Sequence, residues 1–290
     1  MKSKIKRLFI FLGIPVLICF SSYMFYLPHA YLIKFKSELS PFSIYGFINE
    51  SAIDKKEEGG ILFITQLLKN ESEEYANLFW EIDYDGDISN VRIKVIFTKE
   101  QWKEKIKILT FRSSLLDATF EKIKLIYKEM NDNLNSFRWS SPKDEQISES
   151  DCLCVNLESA INEKPRLMNQ HVDRLAYYAK TIKNKSPRLY INAINFAEQR
   201  FSYEFCFPID DKDKLGSISE EYYVKHQPNI ETKAINFYGN FAKTPQFWAK
   251  LYDSLRHENK QIRYPIVEEF IDSPFSGKND TEWLSKIYFY

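Results

Sequence analysis

Residues 232–271 read TKAINFYGNFAKTPQFWAKLYDSLRHENKQIRYPIVEEFI. Thr232 to Tyr238 alternates as a strand does. Thr244-Pro245 then opens a helix whose Phe247, Trp248, Leu251, Tyr252 and Leu255 share one face. YPIVEEFI (264 to 271) and EWLSKIYFY (282 to 290) return as strands. The same order stands upstream. A strand from Cys152 to Ser159 leads to a helix with Pro165 near its first turn and Met168, Val172, Leu175, Ala179 and Ile182 on one face. RLYINAINF (188 to 196) and RFSYEFCFPI (200 to 209) follow as strands. Both helix ends carry Asn-Lys-x-x-Arg, at Asn184 to Arg188 and Asn259 to Arg263. The chain from 151 to 290 is therefore expected to be a repeated β-α-β-β unit.

Upstream of the repeat, residues 139–150 are polar and contain Pro142, which predicts an exposed linker. Before it, ILFITQLL (61 to 68), ANLFWEIDY (76 to 84) and ISNVRIKVIF (88 to 97) predict strands, the last two joined by Asp85-Gly86-Asp87, a strong hairpin signal. Leu116, Phe120, Ile123, Tyr127, Met130, Leu134 and Phe137 recur at helical spacing, with Ser114 and Asp117 as a start signal resembling a capping box. Residues 61–138 thus predict a small antiparallel sheet with one long helix. Residues 28–60 hold no sustained period and are expected to be a tether.

The chain begins with Lys2, Lys4, Lys6 and Arg7 and then LFIFLGIPVLICFSSYMFYL, Leu8 to Leu27, without a charge. About 20 apolar residues suffice to span a ~30 Å hydrocarbon core. The basic flank predicts a cytoplasmic tail at 1–7 and everything after the span outside. These features predict a single-pass inner membrane protein held through Leu8–Leu27. A cleaved signal peptide is the rival reading, against which the segment length argues.

The chain has 290 residues, enough for two domains of ordinary size. Lys plus Arg number 40 and Asp plus Glu 40, so no net field recruits nucleic acid, and none is expected as a partner. His29, His171, His226 and His257 lie far from one another and from the cysteines, so no metal site is expected. No phosphate-binding glycine loop or nucleophile elbow occurs, and no cofactor is implied. Asp83-Tyr84-Asp85-Gly86-Asp87 is read as a turn rather than a calcium loop. Cys152 and Cys154 alternate onto one strand face. Cys206 either bridges to one of them or all three are small buried hydrophobes.

The second half resembles the GyrI-like, or effector-binding, domain that follows the DNA-binding part of some AraC- and MerR-type regulators. The resemblance rests on Phe237-Tyr238-Gly239-Asn240-Phe241, on Glu268-Glu269-Phe270-Ile271-Asp272-Ser273-Pro274, and on Thr281-Glu282 followed by Ile287-Tyr288. With no helix-turn-helix ahead of it, the transcription-factor role is not implied. Residues 61–138 are similar to the rear of a START-like (SRPBCC) fold, through Trp80-Glu81-Ile82, the Asp85-Gly86 hairpin and the helix from Ser114. The expected fold class is α+β.

Alternation places Ile266, Glu268 and Phe270 on one strand face, a carboxylate among apolar groups. The resemblance implies that a Glu at this position meets a lipophilic, often cationic, ligand in an aromatic pocket, which Tyr190, Tyr203, Tyr238, Trp248, Tyr252 and Phe270 would wall. Against this stands a solvated Glu268 with the aromatics as ordinary core. Three functions follow: a non-catalytic binding protein for a small apolar or cationic ligand, a small-molecule hydrolase using Glu268 as general base, or an interaction protein with filled cavities.

Overall fold

A computed structural model describes residues 15, 17–26, 31–48, 51–69, 75–97, 101–179, 186–210, 215, 217–272 and 277–290. The chain divides into two compact units. Unit 1 runs to Pro41 and from Phe47 to Glu129; unit 2 comprises Phe42–Gly46 and Met130–Tyr290.

Unit 1 is a five-stranded antiparallel sheet of β1 (Tyr31–Ser37), β2 (Ala52–Glu58), β3 (Ile61–Lys69), β4 (Tyr75–Tyr84) and β5 (Ser89–Phe97), in the order β1-β5-β4-β3-β2. Alternation buries Leu62, Ile64, Leu78, Trp80, Ile82, Val91, Ile93 and Val95. The buried Gln66 side chain accepts from Trp80 Nε1 at 3.0 Å and donates to Ser51 Oγ at 2.6 Å, so its polar ends are satisfied. At the β4–β5 turn, the Asp85 carboxylate accepts from the Asp87 and Ile88 amides at 3.1 and 2.8 Å, and Gly86 takes φ +99°. Three helices follow the order α1 (Pro41–Ile48), α2 (Gln101–Leu109) and α3 (Ser114–Leu134).

Several expectations are corrected here. The membrane-spanning helix over Leu8–Leu27 is overturned: among the described residues, no helix is long and apolar enough to cross a membrane. Leu8 to Ile14, Val16 and Leu27 lie outside the described residues. Ser22–Tyr26 winds as a π-helical turn rather than continuing an α-helix. Met24 is buried, and Lys105 Nζ of α2 donates to the carbonyls of Tyr23 and Met24 at 2.8 and 3.4 Å. Carbonyls held by a lysine of the same unit do not belong to a regular lipid-facing helix, whose backbone groups pair within the helix. The single-pass placement falls with it. Residues 31–58, read as part of a tether, supply two strands and a helix. Their sequence hid this because five of the seven residues of β2 are charged and none is buried, so the strand is defined by its pairing with β3. The long helix is capped one residue earlier than read, by Ser113 Oγ accepting from Leu116 N at 3.1 Å. Its buried stripe runs Leu115, Thr119, Ile123, Ile126 and Met130, leaving Phe120 and Tyr127 half exposed against Tyr31 and Phe35.

Unit 2 is built on a nine-stranded antiparallel sheet. Its strands are β6 (Phe137–Trp139), β7 (Lys143–Ile147), β8 (Ser150–Ala160), β9 (Arg188–Asn195), β10 (Arg200–Ile209), β11 (Tyr222–Gln227), β12 (Ile230–Gly239), β13 (Ile266–Phe270) and β14 (Leu284–Phe289). The order is β11-β8-β10-β9-β13-β14-β12-β6, with β7 also on β12. Its two helices are α4 (Lys164–Ala179) and α5 (Thr244–His257). The repeat β8-α4-β9-β10 and β12-α5-β13-β14 is present, and β9 pairs with β13 so that the two copies meet at a central seam. The expected linker is instead structured, because the short β6 and β7 both pair with β12. Of the Asn-Lys-x-x-Arg repeat, Asn184 and Lys185 lie outside the described residues, as do Ser273 and Pro274. Gly239 ends β12 with φ +147°, and a Cβ there would lie 2.7 Å from Phe137 Cβ, so glycine is required.

Candidate functional site

Each repeat enters its helix in the same way. A short 3-10 turn, Ile161–Glu163 or Phe241–Lys243, is followed by a polar residue and proline: Lys164-Pro165 opens α4 and Thr244-Pro245 opens α5. Proline is suited to a first helical turn because its missing N–H would be unpaired there anyway. Asn240 Oδ1 accepts from Ala242 N at 2.9 Å and fixes the second entry. On the seam, Glu268 of β13 stands opposite Leu189 of β9 and Ile287 of β14, and its side chain meets both helix starts.

The site they form is a closed cation cage. Lys164 Nζ donates to Glu268 Oε2 at 2.7 Å and to Thr244 Oγ1 at 2.6 Å. Thr244 Oγ1 in turn donates to the Phe241 carbonyl at 3.0 Å. The same ammonium lies 4.6 Å from the Trp248 ring centroid and 5.9 Å from that of Phe270, within cation–π reach of both. Lys164, Thr244, Trp248 and Glu268 are each 0% exposed. Burial pushes the Glu268 carboxyl up and the Lys164 ammonium down, each toward its neutral form, while their mutual attraction opposes both shifts. Thr244 and the Trp248 indole also favour the carboxylate electrostatically, yet Trp248 Nε1 and Glu268 Oε1 both lack a partner at hydrogen-bond geometry. The cage thus retains one unused acceptor and one unused donor.

The expected site residues divide among several places. Trp248 and Phe270 join Glu268. Tyr203 lies on the same sheet face, stacked on Phe201 at 4.3 Å, and Phe201 is 5.5 Å from Trp248. Tyr190 faces the other side, because it stands opposite Val267 rather than Glu268; its ring carries Lys225 Nζ at 4.7 Å. Tyr238 also alternates away and stacks under Arg138 at 5.0 Å. Tyr252 packs with Phe196 at 5.0 Å and Phe42 at 5.7 Å. It lines a separate open depression of about 340 Å³ with Arg256, Lys260, Gln261, Ile262 and Tyr264. The solvated reading of Glu268 is overturned by its complete burial. Lys164 and Thr244 are the residues that sequence reasoning missed. A lysine opening a helix, at the position equivalent to Thr244 in the second copy, sits at the positive end of the helix dipole and was the available signal.

On the opposite face, Cys152, Cys154, Tyr190, Cys206, Val267 and Tyr288 form a buried cluster. Cys154 and Cys206 stand opposite each other on β8 and β10 and are joined as a disulfide, whereas the buried Cys152 is free. Cys154, Glu204 and Cys206 bring metal-type donors within 4.8 Å, but the bridge takes both sulfurs. Arg188 pairs with Glu269 at 3.1 Å, and Tyr288 OH donates to Glu269 Oε2 at 2.8 Å, so the glutamate next to Glu268 has its own partners.

No family model matches the chain, and no curated protein matches it. Solved structures similar to it include the crystal structure of the EcmrR C-terminal domain, 13% identical over 51% of this chain and 95% of that one, with a TM-score of 0.43. The structure of SAV2435 bound to tetraphenylphosphonium is 10% identical over 52% of this chain and 93% of that one, with a TM-score of 0.39. A hydrolase from Listeria innocua is 10% identical over 51% and 90%, with a TM-score of 0.33.

Proposed function

We propose that unit 2 is a non-catalytic binding module for a small organic cation, with Glu268, Trp248 and Phe270 as its recognition groups. One observation carries this reading: a carboxylate with no solvent exposure is set against two aromatic rings and balanced by an ammonium. A buried carboxylate requires a cation, and aromatic faces supply attraction that a surface site would lose to water. The hydrolase alternative is less well supported. Glu268 is held by the Lys164 ammonium at 2.7 Å, which suits a carboxylate that pairs with a cation better than one that takes a proton from a substrate.

The test is calorimetric titration of the full chain at pH 7 with tetraphenylphosphonium and a panel of alkylammonium ions, on wild type and on Glu268→Gln. The expected result is saturable binding that Glu268→Gln weakens about tenfold or more, ~1.4 kcal/mol. Circular dichroism would verify that the variant is folded. Failure of every cation to bind wild type would refute this reading. It would favour the interaction protein with a filled cavity, which the full burial of Lys164 and Glu268 already supports.

A further inference from the structure

The cation now in the cage is part of the chain, and its contacts specify what kind of cation the cage accepts. Lys164 uses N–H bonds on Glu268 Oε2 and Thr244 Oγ1, and presents its charge to Trp248 and Phe270. A quaternary ammonium or phosphonium has no N–H. In the same seat it would leave two buried oxygens without a donor, a loss comparable to that of unmade hydrogen bonds. The stem that carries the Lys164 ammonium is itself an unbranched methylene chain, and it is fully buried. Lys164 is also seated at the N-terminal end of α4, the end that repels positive charge. Its chain neighbours Glu163 and Pro165 are partly exposed, so the backbone that carries Lys164 lies near solvent although its side chain does not.

From these contacts, and resting on the cation-site reading above, we infer that the ligand is a primary alkylammonium and that it binds by taking the seat of Lys164. Lys164 is then a built-in competitor. The affinity for ligand is the intrinsic affinity of the cage reduced by the fraction of time the lysine vacates it. No bond is made or broken; one ammonium replaces another on the same carboxylate, and the charge of the cage is unchanged.

Two experiments on the full chain test this. In Lys164→Ala the stem and ammonium are removed, leaving a slot for a two- or three-carbon amine. Thermal melts at constant ionic strength are expected to show a saturable rise in Tm with ethylammonium or propylammonium and none with tetramethylammonium. The rise should vanish in Lys164→Ala/Glu268→Gln. In wild type, amine acylation read by peptide mass spectrometry is expected to find Lys164 protected alone and modified about tenfold faster with butylammonium present. The second arm stands even if the alanine variant does not fold. Equal stabilisation by tetramethylammonium would overturn the primary-amine assignment. Binding of butylammonium with Lys164 still protected would overturn the exchange. Glu268-dependent binding of tetraphenylphosphonium with no response to any primary amine would overturn this inference while leaving the broader cation reading intact.

Discussion

Removing either charge of the Lys164–Glu268 pair alone is expected to cost far more than removing both. The two atoms lie 2.7 Å apart with both side chains at 0% exposure. At an effective dielectric of about 20, attraction over that distance is worth roughly 6 kcal/mol. That gain is offset by the several kcal/mol needed to desolvate each ion. Lys164→Met keeps the stem volume but strands the carboxylate, and Glu268→Gln keeps the shape but strands the ammonium. Each is expected to destabilise the chain by about 3–5 kcal/mol, whereas Lys164→Met/Glu268→Leu, which leaves no charge, is expected within ~1.5 kcal/mol of wild type. Urea unfolding at pH 7 with tryptophan fluorescence provides the free energies, and the cycle through the double variant isolates the coupling. Single variants that move stability by less than about 0.5 kcal/mol, the scale of an ordinary surface substitution, would refute the buried-pair account.

pH supplies a signed check on the same pair. Burial raises the Glu268 pKa, so its ionised form costs stability above the unfolded value of about 4.3, and the cost disappears as pH falls below it. In Lys164→Met no ammonium opposes that shift, so the deficit of the variant against wild type should shrink from pH 7 to pH 5; a constant deficit in thermal melts would contradict it. Gly239→Ala places a Cβ 2.7 Å from Phe137 Cβ at φ +147°, and a loss of about 1–3 kcal/mol is expected by urea titration. Replacing Cys154 and Cys206 together by alanine opens a bridge between residues 52 apart, and should lower stability by about 2–4 kcal/mol under oxidising conditions, with far less difference from wild type when a dithiol is present. A fragment from Met130 to Tyr290 should melt higher than one from Asp151, because only the longer one keeps β6 and β7 on β12; equal melting would restore residues 139–150 to a linker.

Elements whose signals are local are legible in the amino-acid order. Alternation in 188–196, 200–209 and 264–271, and the Pro-opened helices between the strands, are set by neighbours two to four residues apart. The β-α-β-β repeat could be read from them. The same alternation put Glu268 and Phe270 on one face. It did not separate Tyr190 and Tyr238 from them, because which face of a strand shares a side with another strand depends on register. Val267, not Glu268, stands opposite Tyr190 only once β9 and β13 are paired. Charge composition concealed β2 and β7, and a length of three residues concealed β6; their places come from ladder partners rather than from apolar runs. The uncharged stretch at Leu8–Leu27 misled for a related reason: hydropathy records what a segment tolerates, and Lys105 on the Tyr23 and Met24 carbonyls is a tertiary fact. The cation cage is tertiary throughout. Lys164 and Glu268 are 104 residues apart and come from different copies of the repeat. They become partners because the β9–β13 seam carries two helix starts to the same point, a convergence that no local periodicity encodes.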